Sequence, residues 1–245
     1  IDLSREAFAA VPKFLSGNFL LGDVRDVATS PDGRFVATAS DDGTVRLWRA
    51  ATGALAAVLV GHRGVVYHAR FAPHATRVVT AGADGTACLW DDTGYLLARL
   101  SGHRGAVVDA AFLDDDTLVT AGHDGTVRLW RPRADGAETT FHARGGVRAL
   151  AQSLDGARLV AGAADGSGTL WNTAQRDGQG APLEGNGDAV TAVALSPDGQ
   201  GIATASLDGH ARLWSARGVF ERGLDGHVGA VRALAYAPDG AVLAT

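Results

Sequence analysis

The 245 residues are 46% hydrophobic and 20% charged with a net charge of −5, a globular composition with no basic run to make nucleic acid or an anionic membrane the expected partner. Cys88 is the single cysteine, which excludes an intramolecular disulfide framework and makes a reducing, cytoplasmic location the expectation. No apolar run reaches the roughly 18 to 20 residues of a membrane-spanning helix, and no charged-then-apolar leader opens the chain.

In chain order, Val11 to Leu15 followed by Gly17-Asn18 reads as an outer strand and a loop, and from there the same grammar recurs. It is clearest in the third unit. Gly102-His103 opens a loop, Val107 to Phe112 is an apolar strand, Asp114-Asp115-Asp116 turns, and Thr117 to Ala121 is a second strand. Asp124-Gly125 then makes a tight hairpin into a third strand, Thr126 to Trp130, with a looser fourth strand before the next loop. Equivalent outer strands lie at Leu96 to Gly102 and Val219 to Gly226. An Asp-Gly pair followed by a strand ending in Leu-Trp recurs at Asp42 to Trp48, Asp84 to Trp90, Asp124 to Trp130, Asp165 to Trp171 and Asp208 to Trp214. The tryptophans lie 42, 40, 41 and 43 residues apart, a period that marks four-stranded propeller blades. All four strands of each unit are expected to be apolar on both faces.

The turns between first and second strands are Ser30-Pro31-Asp32-Gly33, Ser153-Leu154-Asp155-Gly156, Ser196-Pro197-Asp198-Gly199 and Ala237-Pro238-Asp239-Gly240. Proline presets the turn and glycine accepts its positive φ. Asp114 to Asp116 falls in the same register, so it is read as a turn and not as a calcium loop. The histidines show no metal-ligand spacing, and no glycine-rich loop precedes a helix, so no metal or cofactor is expected.

These features together resemble the WD-repeat β-propeller family: Gly61-His62, Gly102-His103, Gly226-His227, the Ser-Pro-Asp-Gly turns and the five Asp-Gly to Leu-Trp strands. Only Trp90-Asp91 is a literal Trp-Asp pair. The resemblance implies an all-β propeller of four-stranded antiparallel blades in one domain over 1–245, with five complete blades and a partial sixth. The parent would have six or seven blades, the strand at 11–15 completing the last. The start at Ile1, the absence of methionine and the stop at Thr245 before a third strand predict a fragment of a longer protein. Lys13 is the sole lysine among 22 basic residues, which with abundant Ala, Gly and Arg predicts a bacterial source.

Four residues keep fixed spacing within a unit: His62, Thr80, Asp84 and Trp90, and again His103, Thr120, Asp124 and Trp130. Imidazole, hydroxyl and carboxylate suggest a catalytic triad, but an active site is built once and this set recurs in register. No catalytic residue is assigned. The resemblance implies a hydrogen-bonded network through these groups that stiffens each blade. The set is partial elsewhere. Thr38, Asp42 and Trp48 stand with Asn18 or a neighbour in place of His, and Thr204, Asp208 and Trp214 stand with Asn186. His227 and Thr245 begin a sixth. In the fourth unit Ala161 replaces Thr and Ala143 aligns with His unless His142 swings in, so this blade is expected to be the most mobile.

Positions that differ between repeats are free to serve a partner. Before the hairpin aspartates these are Asp41, Ala83, His123, Ala164 and Leu207; two residues into the first strands they are Arg25, Tyr67, Val108, Arg148, Thr191 and Arg232. Arg25, Asp41, Tyr67, His123, Arg148 and Arg232 are the partner-binding candidates, Arg and Tyr being enriched at interface hot spots. The leading expectation is a non-enzymatic scaffold that binds a protein or peptide on the face of the Gly-His loops, with no nucleic acid or membrane partner. The alternatives are a regulatory module fused to a larger bacterial signalling protein and, more remotely, a catalytic propeller using Asp26, His68 and Asp109.

Overall fold

The structure is a computed structural model that describes residues 22–132, 136–175 and 177–245. The strand expected over 11–15 and the Asn18 loop lie outside the described residues. Among those described, every regular element is a β-strand. The first sheet is formed by β1 (Val24–Thr29), β2 (Phe35–Ser40), β3 (Thr44–Arg49) and β4 (Leu55–Val60), and the second by β5 (Val66–Phe71), β6 (Val78–Gly82), β7 (Thr86–Trp90) and β8 (Leu96–Ser101). The third set is β9 (Val107–Phe112), β10 (Leu118–Gly122), β11 (Thr126–Arg131) and β12 (Gly136–His142). The fourth is β13 (Val147–Gln152), β14 (Arg158–Ala163), β15 (Gly168–Asn172) and β16 (Ala181–Leu183); the fifth is β17 (Val190–Leu195), β18 (Gly201–Ser206), β19 (Ala211–Ser215) and β20 (Phe220–Leu224). A sixth repeat contributes the pair β21 (Ala235–Tyr236) and β22 (Leu243–Ala244). Each complete set follows chain order, as expected of blades joined by short hairpins.

The local chemistry explains the turns. Gly85 takes φ +79 and its N–H bonds the Gly82 carbonyl at 3.2 Å, a conformation that a side chain would oppose. At the other end of a blade, the Ser30 hydroxyl bonds Asp32 at 2.6 Å and receives the Phe35 N–H at 2.9 Å, closing the turn with side-chain partners. Asp114 bonds the N–H groups of Asp116 and Thr117 at 2.8 and 2.6 Å, which is the turn geometry expected for that acidic run.

The expectation that all four strands are buried on both faces holds only for the middle of a blade. β2 is buried at every residue, whereas β1 alternates half-buried and exposed and β4 exposes Leu55, Val58 and Val60. First and fourth strands are sheet edges, so fewer neighbours cover their sides.

The chain divides into two compact units, with the boundary inside the third set of strands. Of the described residues, the first unit holds 22–120, 130–132 and 136–137, and the second holds 121–129, 138–175 and 177–245. In the first, Val45, Leu47, Leu59 and Ala69 pack with Trp90, and Leu89, Val107, Phe112 and Leu118 pack with Trp130. In the second, Val160, Leu170, Leu183 and Ile202 pack with Trp214. Trp90, Trp130 and Trp214 are thus cushioned by residues of the blade before their own, whereas Trp48 packs with Val36 and Ala50 of its own repeat.

One irregularity recurs. The pairing of first and second strands slips between Val24 and Asp26, Val66 and His68, Val147 and Ala149, and Val190 and Ala192. Each slip is a β-bulge, whose extra residue is Arg25, Tyr67, Arg148 or Thr191. A bulge re-aims a side chain at the end of a strand.

Candidate functional site

The repeated polar set is seen from end to end in the second blade. The Trp90 indole N–H donates to Thr80 Oγ1 at 2.9 Å, the Thr80 hydroxyl donates to His62 Nε2 at 2.7 Å, and His62 Nδ1 lies 3.1 Å from Asp84. These partners assign the proton to Nδ1. Burial pushes the imidazole's pKa down despite Asp84, so the ring serves as a neutral relay of hydrogen bonds. Burial alone would raise the Asp84 carboxyl, but bonds from the Arg63 N–H, the Thr86 hydroxyl and His62 outweigh it and hold the carboxyl at about 2.

The other blades carry parts of this arrangement. Trp48 donates to Thr38 at 3.0 Å, Trp130 to Thr120 at 2.8 Å, and Trp214 to Thr204 at 3.0 Å. His103 Nε2 lies 2.7 Å from Thr120, and His227 Nε2 lies 2.7 Å from Thr245. In the fifth blade the Thr204 hydroxyl donates to Asn186 at 2.9 Å, and the Asn186 amide bonds the Gly166 carbonyl at 3.1 Å. The hairpin aspartates hold their own turns: Asp42 accepts the Thr44 hydroxyl at 2.6 Å, Asp124 the Thr126 hydroxyl at 2.8 Å and Asp208 the Gly187 N–H at 2.6 Å.

An arginine four residues on braces three of these carboxylates, Arg46 to Asp42 at 2.9 Å, Arg128 to Asp124 at 4.0 Å and Arg212 to Asp208 at 2.8 Å. Cys88 stands at that place in the second blade, where burial pushes its thiol up to about 11 and leaves it protonated. Its cross-strand partner Arg99 takes over, reaching Thr86 Oγ1 at 3.1 Å, the Gly61 carbonyl at 2.7 Å and Asp84 at 3.7 Å. Reading each repeat along the chain missed Arg99, because the substitute lies on the neighbouring strand.

The fourth blade departs further. Trp171 is buried and its indole nitrogen has no hydrogen-bond partner among the described residues, since Ala161 supplies no hydroxyl. His142 is exposed near Gly178, and among the described residues Asp165 is hydrogen-bonded by Ser167, at 3.0 and 2.6 Å. A Cβ on Gly180 would lie 2.5 Å from Trp171 Nε1, so the indole's N–H edge rests on the outer-strand side. Ala161→Thr is expected to stabilise the chain by about 1 kcal/mol by giving this donor an acceptor. Hydrogen exchange in 158–172 should slow in the variant, and unchanged exchange with unchanged melting would refute the assignment.

The partner-binding candidates occupy unlike settings. Arg25 and Asp41 saturate each other through a two-pronged ion pair, and half-buried Tyr67 is close enough to act on the Arg25 charge. The structure thus joins these three at the bulge end of the first two blades. His123, Arg148 and Arg232 are exposed in the second unit. The Asp26 carboxylate takes the Ala69 N–H at 3.1 Å, pairs with Arg70 and lies 3.3 Å from His68 Nδ1. Burial works against a charged His68, yet the hydrogen bond to Asp26 and the charge of Asp109 raise its pKa. Asp109 itself bonds the Ala110 N–H at 2.9 Å. These groups tie the first strand of one blade to the next, and among the described residues the imidazole's partners are Asp26 and Arg70.

Among the described residues no cluster of His, Cys, Asp or Glu could hold a metal, and no helix is long and apolar enough to cross a membrane. The family model described as "WD domain, G-beta repeat" matches residues 12–49, 53–91, 94–131, 137–172, 179–215 and 218–245. The chain is similar to "Apoptotic protease-activating factor 1" of Rattus norvegicus, 24% identical over 221 residues that cover 86% of this chain and 18% of that protein. It is also similar to "Serine-threonine kinase receptor-associated protein" of Homo sapiens, 32% identical over 149 residues, 59% of this chain and 42% of that one. A third relative is "Nuclear distribution protein nudF" of Aspergillus niger, 28% identical over 245 residues, 89% of this chain and 55% of that one. The chain therefore spans well under two thirds of these proteins. They come from animals and a fungus, so the compositional expectation of a bacterial source gains no support from them.

Proposed function

We propose, from the premise that this chain belongs to the WD domain, G-beta repeat family, that it is a non-enzymatic scaffold whose blades dock a protein or peptide at their bulged end. The observation that carries this is the recurring bulge: it sets an extra, repeat-specific side chain at the same end of four strand pairs, the end where the Asp-Gly hairpins lie. Framework positions repeat and hold the fold, whereas the bulge positions differ, being Arg25, Tyr67, Arg148 and Thr191; Arg232 holds the corresponding place of the sixth repeat in sequence. A reducing compartment such as the cytoplasm suits the one buried thiol, Cys88.

A second reading is favoured by the rat relative, which is matched over 86% of this chain but only 18% of its own length. In that reading the same blades are a regulatory module within a larger protein. Both readings place the partner at the bulged end. A photo-crosslinking residue at Arg148 should give partner adducts in cells that express the protein, and one at Leu154, at the opposite end of β13, should not. Adducts from 154 alone would overturn the reading. The same blots report the size of the uncrosslinked protein, and a species no larger than this chain would remove the second reading.

A further inference from the structure

Of the three asparagines in the chain, Asn186 alone precedes a glycine, and each member of the pair answers a demand of the fold. The Asn186 side chain stands where other repeats carry an imidazole, receiving the Thr204 hydroxyl at 2.9 Å and donating to the Gly166 carbonyl at 3.1 Å. The Gly187 N–H donates to Asp208 Oδ2 at 2.6 Å, as the Arg63 N–H donates to Asp84 at 2.9 Å in the second blade. A Cβ on Gly187 would lie 3.0 Å from that same Asp208 oxygen, so glycine allows the carboxylate its close approach to the backbone. Asn186 is half-buried and Gly187 is exposed, which leaves the pair within reach of water.

Asparagine is a thermolabile residue, and most of all before glycine, where no side chain shields the next amide nitrogen from the asparagine Cγ. Once hydroxide removes the Gly187 amide proton, the nitrogen attacks Asn186 Cγ. The N–Cγ bond forms, the Cγ–Nδ2 bond breaks, and ammonia leaves with a proton from water. Water then opens the cyclic imide at either carbonyl, giving aspartate or isoaspartate with no change in oxidation state. In the folded chain this nucleophile has to form against a neighbouring charge. Burial alone would raise the Asp208 carboxyl, but Arg212 and the N–H groups of Gly187 and His210 outweigh it and hold it at about 2, so it is ionised at neutral pH. An anion on the Gly187 nitrogen would lose its hydrogen bond and face that carboxylate, and so close a like charge makes the proton harder to remove by about one pKa unit or more. The two bonds on the Asn186 amide also keep its Cγ from swinging freely toward the nitrogen.

We infer that Asn186-Gly187 is a latent modification site, open to conversion into aspartate and isoaspartate, and that the Asp208 carboxylate guards it by occupying the Gly187 N–H. The inference goes beyond partner docking and does not depend on it. Arg212 acts in the opposite sense to the carboxylate it braces: it lies 2.8 Å from Asp208 Oδ2 and offsets part of the charge that deters the amide anion. The product carries a carboxylate where the amide donates to the Gly166 carbonyl, so conversion cuts the bond that ties this loop to the hairpin of the repeat before it.

The test is to incubate the whole chain at neutral pH and physiological temperature beside Asp208→Ala, Arg212→Ala and the free peptide 183–191. Aspartate and isoaspartate at 186 are followed by mass spectrometry of digests, with circular dichroism confirming that each variant is folded. Asn172, which precedes Thr173, is the reference within each protein sample. The intact chain should convert more slowly than the peptide by about tenfold or more, and Asp208→Ala should convert faster than the parent by about the same factor. Arg212→Ala should convert no faster than the parent, because its carboxylate is then unopposed. General loosening of the blade would instead speed both variants alike. Equal rates in the parent and the peptide, or in the parent and Asp208→Ala, would overturn the proposal, as would an acceleration in Arg212→Ala that matches the one in Asp208→Ala.

Discussion

Gly82→Ala is expected to lower stability by about 3 to 4 kcal/mol, a large effect for one added carbon. The new Cβ would lie 2.3 Å from His62 Nδ1, 2.8 Å from its Cε1 and 2.9 Å from Asp84. The imidazole side chain is 2% exposed, so it cannot retreat without vacating a buried site. Overpacking typically costs 1 to 3 kcal/mol, and expelling the ring also strands the Thr80 and Asp84 groups that it joins. In a chain of this length that corresponds to a fall in melting temperature of roughly 6 to 15 °C. Repetition supplies the control. Gly82 and Gly122 stand in the blades whose threonine meets an imidazole, whereas Ser206 stands in the blade where Asn186 meets Thr204. Gly82→Ser should therefore be rescued by His62→Asn, with a favourable coupling above about 1 kcal/mol in the double-mutant cycle. Additive losses would show that the ring and the glycine are independent.

Asp84→Ala should cost about 3 kcal/mol and change the response to acid. The substitution leaves His62, the Arg63 N–H and the Thr86 N–H without the carboxylate they share. Asp165→Ala should cost about 1 kcal/mol, because among the described residues its hydrogen bonds are those from Ser167. The pH dependence follows from sign. Asp84 and Asp208 are each held at about 2 against an ordinary 3.8. A lowered folded pKa contributes stability that is present above the unfolded value and disappears as pH falls through the folded one. The intact chain should therefore lose stability between about pH 4 and pH 2, by about 1 to 2 kcal/mol for each group after allowance for water at the loop. Asp84→Ala should show a shallower loss over that window, measured by urea unfolding at stepped pH. Parallel curves for variant and parent would mean that the carboxylate is not held as described.

The blades were readable in the sequence because their determinants are local. An Asp-Gly hairpin, a turn closed by its own serine and aspartate, and an indole ten residues from a threonine all lie within one repeat. The bulges are not readable there, although the positions they displace vary between repeats. A bulge is a property of register between two strands, and alternating patterns such as that of Val24 to Thr29 do not encode a slipped pair. Arg99 escaped for a related reason, since it answers Cys88 across a strand pair. The mutual neutralisation of Arg25 and Asp41 was equally hidden. Sequence marked each as variable and charged, and only proximity turns two candidate contacts into a closed pair.

The pairing of Gly82 with His62 also bears on how such an array can be duplicated or recombined. His62 lies beyond the last strand of the first sheet, yet its ring sits inside the second and needs the absent side chain at Gly82. A stretch cut at the end of an outer strand and copied elsewhere carries its loop imidazole together with the glycine that admits it. A crossover between the loop and the second strand would combine an imidazole with a serine, or an asparagine with a glycine, and leave either a collision or a void. The heritable module therefore begins just before the Gly-His loop, and exchange boundaries that respect this edge should yield chimeras that fold where others do not.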